Sequence, residues 1–256
     1  MSSSVVHSAS ARPEAWFHSG DPERPALLLL HGFTGNPSSV RPIAESLVDT
    51  GSTLSVPLLP GHGGTWRELA RTGWADWSAA ALEAFDRLAS RHPAVVVAGL
   101  SMGGALSLEV GSQRTPASIV AINPALFVDS PAAPLLPVLK HILPTTASIG
   151  GDIEKPGAVE DANDRTSVRA AASLHAGLRG LREHLWRIDA PVTVCVSGRD
   201  GVVAPRSLRA LRSGLPQRPR IVALRRSRHV ATLDYDAPII EQTIRAALAA
   251  AAGDDA

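Results

Sequence analysis

Along the chain, short β-branched or leucine-rich runs recur at intervals too long for tight hairpins. They fall at 26–30 (Ala-Leu-Leu-Leu-Leu), 53–56, 94–98, 118–122, 192–196 and 220–224. Runs of this kind, mostly apolar and rich in β-branched residues or leucine, predict strands covered on both faces. Between most of them, helical spacing of apolar positions predicts helices over 37–50, 74–90, 102–114, 204–213 and 237–250. Parallel neighbours need a crossover, and the helices supply it. The pattern therefore predicts an α/β fold, a mostly parallel central sheet flanked by helices on both faces.

The alternation fails between Asn123 and Arg187. Prolines crowd residues 124–144, Gly150-Gly151 follows, and charged residues then run to about Arg169. A structureless loop of that length is disfavoured in a compact domain. The segment 124–187 is therefore expected to be a small helical insertion, a cap over the carboxyl edge of the sheet. Residues 12–123 and 188–253 form the expected core, and residues 1–11 a flexible N-terminus.

Composition narrows the class. Of 256 residues, 45% are hydrophobic and 19% charged, which excludes disordered and fibrous chains. Twenty-five basic residues against 24 acidic ones leave a net charge of +1, so no global field attracts nucleic acid or an anionic membrane. Arg225, Arg226 and Arg228 read as a solvated loop beside a strand end. Cys195 is the only cysteine, which excludes an internal disulfide, and its apolar run makes it a buried, inert thiol. The N-terminal residues lack a basic stretch followed by a long apolar one. The apolar runs at 26–30 and 246–252 are too short to span a bilayer, so a cytoplasmic location is expected.

The candidate chemistry centres on Gly99-Leu100-Ser101-Met102-Gly103. This pattern needs its glycines because a strand turns abruptly into a helix around a strained serine. Five residues alone are a weak signal. Here the strand 94–98 precedes the motif and the helix 102–114 follows it, so Ser101 is the expected nucleophile. A serine hydroxyl needs a base to take its proton and a carboxylate to hold that base in one tautomer. On a strand–elbow–helix frame these follow the serine in the order acid, then histidine. His229 lies just beyond the strand 220–224, and Asp200 just beyond 192–196, both at carboxyl ends beside the elbow. Asp189 precedes its strand and falls at the opposite edge. Asp234 and Asp236 begin the last helix, where capping and the helix dipole explain a carboxylate. The oxyanion donors are expected to be the backbone amides of Met102 and of Phe33, in His31-Gly32-Phe33-Thr34-Gly35.

His31 and His62 are expected to be structural, their rings bonding loop backbone. No metal is expected, because no histidine or cysteine companions stand at ligand spacing. No cofactor is expected either, because dinucleotide and P-loop patterns do not occur.

His31-Gly-Phe-Thr-Gly35, Gly99-Leu-Ser-Met-Gly-Gly104, Ser148-Ile-Gly-Gly-Asp-Ile153 and His229-Val-Ala-Thr-Leu-Asp-Tyr-Asp236 resemble the bacterial carboxylesterases and monoacylglycerol lipases of the α/β-hydrolase superfamily. The resemblance runs from about Ala26 to the last helix. It implies hydrolysis of small carboxylic esters through an acyl-enzyme, with monoacylglycerols or other short-to-medium-chain esters as substrates. It also implies that Glu160 lies near the glycerol hydroxyls and that Ile149 lines the same pocket. Other readings keep the triad but transfer the acyl group to an alcohol, thiol or peroxide, or cleave a carbon–carbon bond. Product analysis with competing acceptors separates these. A non-catalytic binding protein on the same fold is a third class, separated by reaction of Ser101 with a fluorophosphonate. The apolar stretch 132–143 fits an acyl-docking surface, core packing or a homodimer contact equally well.

Overall fold

Six parallel strands carry the site: β2 (Ala26–Leu30), β3 (Leu54–Val56), β4 (Val95–Leu100), β5 (Ser118–Ile122), β8 (Val192–Ser197) and β9 (Arg220–Leu224). A seventh, β1 (Trp16–His18), pairs antiparallel with β3 at one edge, giving the order β1-β3-β2-β4-β5-β8-β9. The computed structural model describes residues 13–128, 135–147 and 150–253.

Every residue of β2 is buried, because both faces of the sheet are covered. Leu28 and Leu30 face one apolar cluster, shared with α3 (Trp74–Ala89), α4 (Met102–Gln113) and α6 (Val168–His184). Leu27 and Leu29 face a second cluster, shared with α1 (Arg41–Glu45) and α8 (Ala237–Ala252). β2 and β4 are buried throughout and β5 nearly so, sandwiched between two helical layers as the pattern predicted, whereas β9 at the sheet edge buries only Leu224.

The expected helix over 37–50 is broken in three. A 3-10 turn at Pro37–Ser39 is capped by Asn36, α1 begins afresh at Arg41, and a second 3-10 turn at Val48–Thr50 ends on Gly51 at φ 71°. Pro42 has no N–H to give to the carbonyl four residues earlier, so the ladder restarts there.

The segment 124–187 holds less helix outside the core than expected. After the four-residue α5 (Leu136–Leu139) come the antiparallel strands β6 (Thr145–Ala147) and β7 (Arg165–Ser167), then the 17-residue α6. Leu174, Leu178 and Leu181 of α6 pack into the same cluster as α3 and α4. Around α5, Leu135, Val138 and Ile142 are 58%, 61% and 76% exposed, and within the helix only Leu136 is buried. Among the described residues, no helix is long and apolar enough to cross a membrane.

Strand register brings the chemistry to one edge. Leu100 pairs with Ile122 and Ile122 with Cys195. The next residues, Ser101 and Asn123, donate their N–H groups to Ile122 O and Cys195 O, at 2.9 and 2.8 Å.

Candidate active site

Ser101 stands between β4 and α4 with φ 56° and ψ −113°. Such a conformation costs about 1–3 kcal/mol for a residue with a side chain, and the surrounding packing enforces it. The glycines of the motif are required by contact. A Cβ on Gly103 would meet Leu30 O and lie 2.7 Å from His31 O, and one on Gly99 would meet the Gly103 backbone. None of these backbone atoms can swing aside. Gly103→Ala is therefore expected to cost at least about 3 kcal/mol, lowering the thermal midpoint by roughly 6–12 °C. Gly180→Ala in α6, where an added Cβ meets nothing within 4 Å, is the control and should stabilise. Calorimetry of the two variants checks this, and equal midpoints would contradict the packing argument.

His229 and Asp200 meet as their loops leave β9 and β8. His229 Nδ1 lies 2.9 Å from Asp200 Oδ2, with side chains 8% and 9% exposed. Asp200 Oδ1 accepts from the Val202 and Val203 N–H groups, both at 2.8 Å. Burial raises the Asp200 carboxyl pKa. The bond to His229, its charge and the two backbone donors outweigh burial, and together hold the pKa below its ordinary value. A carboxylate that stays ionised and accepts from Nδ1–H leaves Nε2 free to act as a base.

Ser101, His229, Gly32 and Phe33 line one small cavity of about 30 Å³. Gly32 lies close against the serine, since an added Cβ there would be 3.6 Å from Ser101 Cβ. Among the described residues, neither the Phe33 nor the Met102 N–H donates to another protein group. Met102 opens α4, so its N–H is one of the helix's four unpaired donors. Thr34, at φ 65° with its hydroxyl on Phe33 O at 2.6 Å, shapes the loop that presents Phe33. Glu160 lines the same cavity, and its Oε2 accepts from Gly151 N–H at 2.8 Å. Burial pushes the Glu160 carboxyl pKa up, against the Gly151 bond and the nearby His229. Ile149 lies outside the described residues.

His31 and His62 bond backbone as expected. His31 Nδ1–H donates to Gly32 O at 2.9 Å, and Nε2 accepts from Leu59 N–H at 3.1 Å. His62 Nδ1–H donates to Pro60 O at 3.0 Å, and its ring packs edge-on against His31 and Trp77. Burial, reinforced by neighbouring His62, pushes the His31 pKa from 6.5 down to about 3. Burial pushes His62 down to about 4, against the Pro60 and Leu59 backbone groups. Both rings are therefore neutral in the folded protein, whereas in the unfolded chain they bind protons below about pH 6.5. Unfolding takes up protons, so stability falls as pH drops from about 6.5 toward 4. Each ring contributes up to about 1.4 kcal/mol per pH unit. Urea titrations at graded pH should show this loss reduced in His62→Gln. A slope identical to that of the parent protein would contradict it. Burial also pushes the Cys195 thiol up to about 12, in keeping with an inert side chain.

Asp234 and Asp236 do not serve as helix caps. Asp236 stands at the N-cap of α8 without a side-chain bond to the helix. Its carboxylate reaches back to the N–H groups of Arg226 and Ser227, at 2.7 and 2.9 Å. Asp234 accepts from the Arg228, Glu154 and Lys155 N–H groups. Both carboxylates thus hold the loop that delivers His229. Arg228 is likewise not simply solvated, since it pairs with Glu154 at 2.6 Å and Asp152 at 3.2 Å.

Two supporting residues escaped the sequence reading. Asn123 Nδ2 donates to His229 O at 2.8 Å and to Ser197 Oγ at 2.9 Å, while its Oδ1 accepts from Ser197 N–H. Asp152 Oδ2 accepts from Gly201 N–H at 2.9 Å and His229 N–H at 3.3 Å, tying the acid loop to the histidine loop. Asn123 carried a usable signal, an amide just beyond a central strand. Asp152 lies in the Ser148–Ile153 motif, which pointed to the family but not to the loops it joins.

A strand-to-helix elbow bearing a serine, with a buried histidine–carboxylate pair at the same edge of a parallel sheet, is the architecture of the α/β hydrolases. Residues 27–242 match the model of the alpha/beta hydrolase family. The chain is 38% identical over 217 residues to the thermostable monoacylglycerol lipase of Bacillus sp. (strain H-257), covering 84% of this chain and 86% of that one. It is 26% identical over 221 residues to a carboxylesterase of Bacillus subtilis (strain 168), covering 86% and 90%. Among solved structures, one from work on the metagenome-derived lipolytic enzymes LipS and LipT superposes with a TM-score of 0.87 at 33% identity, covering 93% and 97%. The chain belongs to the alpha/beta hydrolase family, in its carboxylesterase and monoacylglycerol lipase branch.

Proposed function

We propose that this protein hydrolyses carboxylic esters through an acyl-enzyme on Ser101, with monoacylglycerols or other short-to-medium-chain esters as substrates. The observation that carries the reading is the buried 2.9 Å bond between His229 Nδ1 and Asp200 Oδ2 at the edge that presents Ser101. His229 Nε2 takes the hydroxyl proton as Ser101 Oγ attacks the carbonyl carbon. The carbonyl oxygen becomes an oxyanion, stabilised by the Phe33 and Met102 amides. As the tetrahedral intermediate collapses, the C–O bond to the alcohol breaks and His229 returns the proton to the leaving oxygen. Water, deprotonated by His229, then attacks the acyl-enzyme and releases the acid.

The segment 124–187 serves as the cap over this site, anchored by its own α6, which packs with α3 and α4. Glu160 is the proposed partner of the glycerol hydroxyls, supported by its place in the cavity that Ser101 lines. A panel of monoacylglycerols of graded chain length, simple alkyl esters, and di- and triacylglycerols tests the substrate assignment. Monoacylglycerols should be preferred. Glu160→Gln should raise KM for a monoacylglycerol about tenfold, the scale of one lost hydrogen bond to a charged group, and leave the matched methyl ester unchanged. Equal effects on both esters would remove the glycerol role.

A further inference from the structure

A second cavity, of about 410 Å³, opens between α6, α7 (Arg206–Gly214) and the segment 126–128, outside the residues assigned to catalysis. That volume lies within the range of small-molecule sites, roughly 300–1,000 Å³. Its polar lining is of one sign. Arg179 and Arg182 stand three residues apart on α6, His175 one turn earlier, and Arg206 comes from the start of α7. None of the three arginines has a carboxylate within 4 Å among the described residues. This contrasts with Arg114, Arg228 and Arg245, each of which is paired.

Part of the arrangement is structural. Arg182 donates to Leu126 O and Leu178 O, at 2.7 and 3.0 Å, and lies 4.1 Å from the Phe127 ring centre. Arg206 lies 4.6 Å from the same ring. These contacts explain why Arg182 and Arg206 are held, but not why Arg179 converges on the same cavity. The arginines act on one another. Burial, then Arg179 and Arg206, depress the Arg182 pKa against the opposing pull of Glu183, and Arg182 and Arg206 add to burial in depressing His175. Like charges gathered in a partly desolvated cavity cost free energy unless an anion offsets them. The remaining walls are apolar, formed by Phe127, Leu136 and Pro137. Val128 belongs both to this cavity and to the one lined by Ser101 and His229.

We propose that this cavity is a binding site for an amphiphilic carboxylate, an acyl chain whose head group is held by Arg179, Arg182 and Arg206 while the chain lies along Phe127 and Leu136 toward Val128. Guanidinium groups suit that head group because their forked donors match a carboxylate in pairs. The site goes beyond the proposed esterase activity and does not depend on Ser101 being the nucleophile.

The test is calorimetric titration of decanoate, decanol and inorganic phosphate into the parent protein and into Arg179→Gln/Arg206→Gln. Neither substituted side chain makes a hydrogen bond to the backbone or lines the catalytic cavity. The double variant should therefore stay folded, with a melting temperature within a few degrees of the parent's because the lost Phe127 contact and the relieved repulsion oppose each other, and keep its turnover of p-nitrophenyl acetate. Decanoate should bind the parent protein and lose at least about tenfold in affinity in the variant, the scale of one charge-assisted bond. Decanol should bind weakly and equally to both. Unchanged decanoate affinity, or decanol binding as tightly as decanoate, would overturn the site. Phosphate binding as tightly as decanoate would overturn the acyl-chain part and leave an inorganic oxyanion site. Lost p-nitrophenyl acetate turnover in Ser101→Ala bears only on the esterase reading.

Discussion

Ser101→Ala is expected to lower turnover of a p-nitrophenyl ester by about four to six orders of magnitude, the usual loss when a triad nucleophile is removed. The reason is that the proposed reaction runs through a covalent bond to Ser101 Oγ. Without that oxygen, His229 and the Phe33 and Met102 amides can only assist direct attack by water. Folding should be unaffected, because alanine keeps the Cβ and the Ser101 N–H still reaches Ile122 O. A fluorophosphonate should label the parent protein at Ser101 and leave the variant unlabelled. Near-parental turnover with labelling elsewhere would sink the assignment.

Asp200→Asn should cost about three to four orders of magnitude in kcat while leaving the fold intact. Its Oδ1 accepts from the Val202 and Val203 N–H groups, and an asparagine oxygen can keep both bonds. That anchoring places the asparagine NH2 where Asp200 Oδ2 now faces His229 Nδ1. Nδ1 must then become the acceptor, so the ring proton moves to Nε2. A ring protonated at Nε2 cannot take the serine proton, and the imidazolium formed during attack loses its counter-charge. Steady-state kinetics, with a melting curve showing a folded variant, checks this. A loss of less than about tenfold would place the acid elsewhere.

Asp152, Asp234 and Asp236 show what such assignments depend on. Each carboxylate accepts backbone N–H groups from the histidine loop, and none of these partners follows from local pattern. A carboxylate at the start of α8 suits the helix dipole, yet the Asp236 carboxylate accepts from the Arg226 and Ser227 amides and makes no bond to the helix. The break in the helix over 37–50 was legible in Pro42 and Gly51, where local chemistry overrides apolar spacing. The short strands β1, β6 and β7 were not. Three residues carry too little alternation to stand out, and their pairing depends on partners up to 40 positions away.

The sequence by itself determined the sheet, the elbow and the placing of Ser101, Asp200 and His229 at one edge of it. Continuous apolar runs require burial on both faces, and a strand that turns sharply into a helix requires glycine where backbones touch. Those are constraints within a few residues, so they are written locally. Only the tertiary structure decided that Asn123 and Asp152 brace the histidine loop. It alone also decided that Arg179, Arg182 and Arg206 face one cavity with no carboxylate within 4 Å among the described residues. Those arrangements follow from strand register and from the packing of α6 and α7. Both join residues far apart in the chain, by contacts that exist only once the two layers have closed over the sheet.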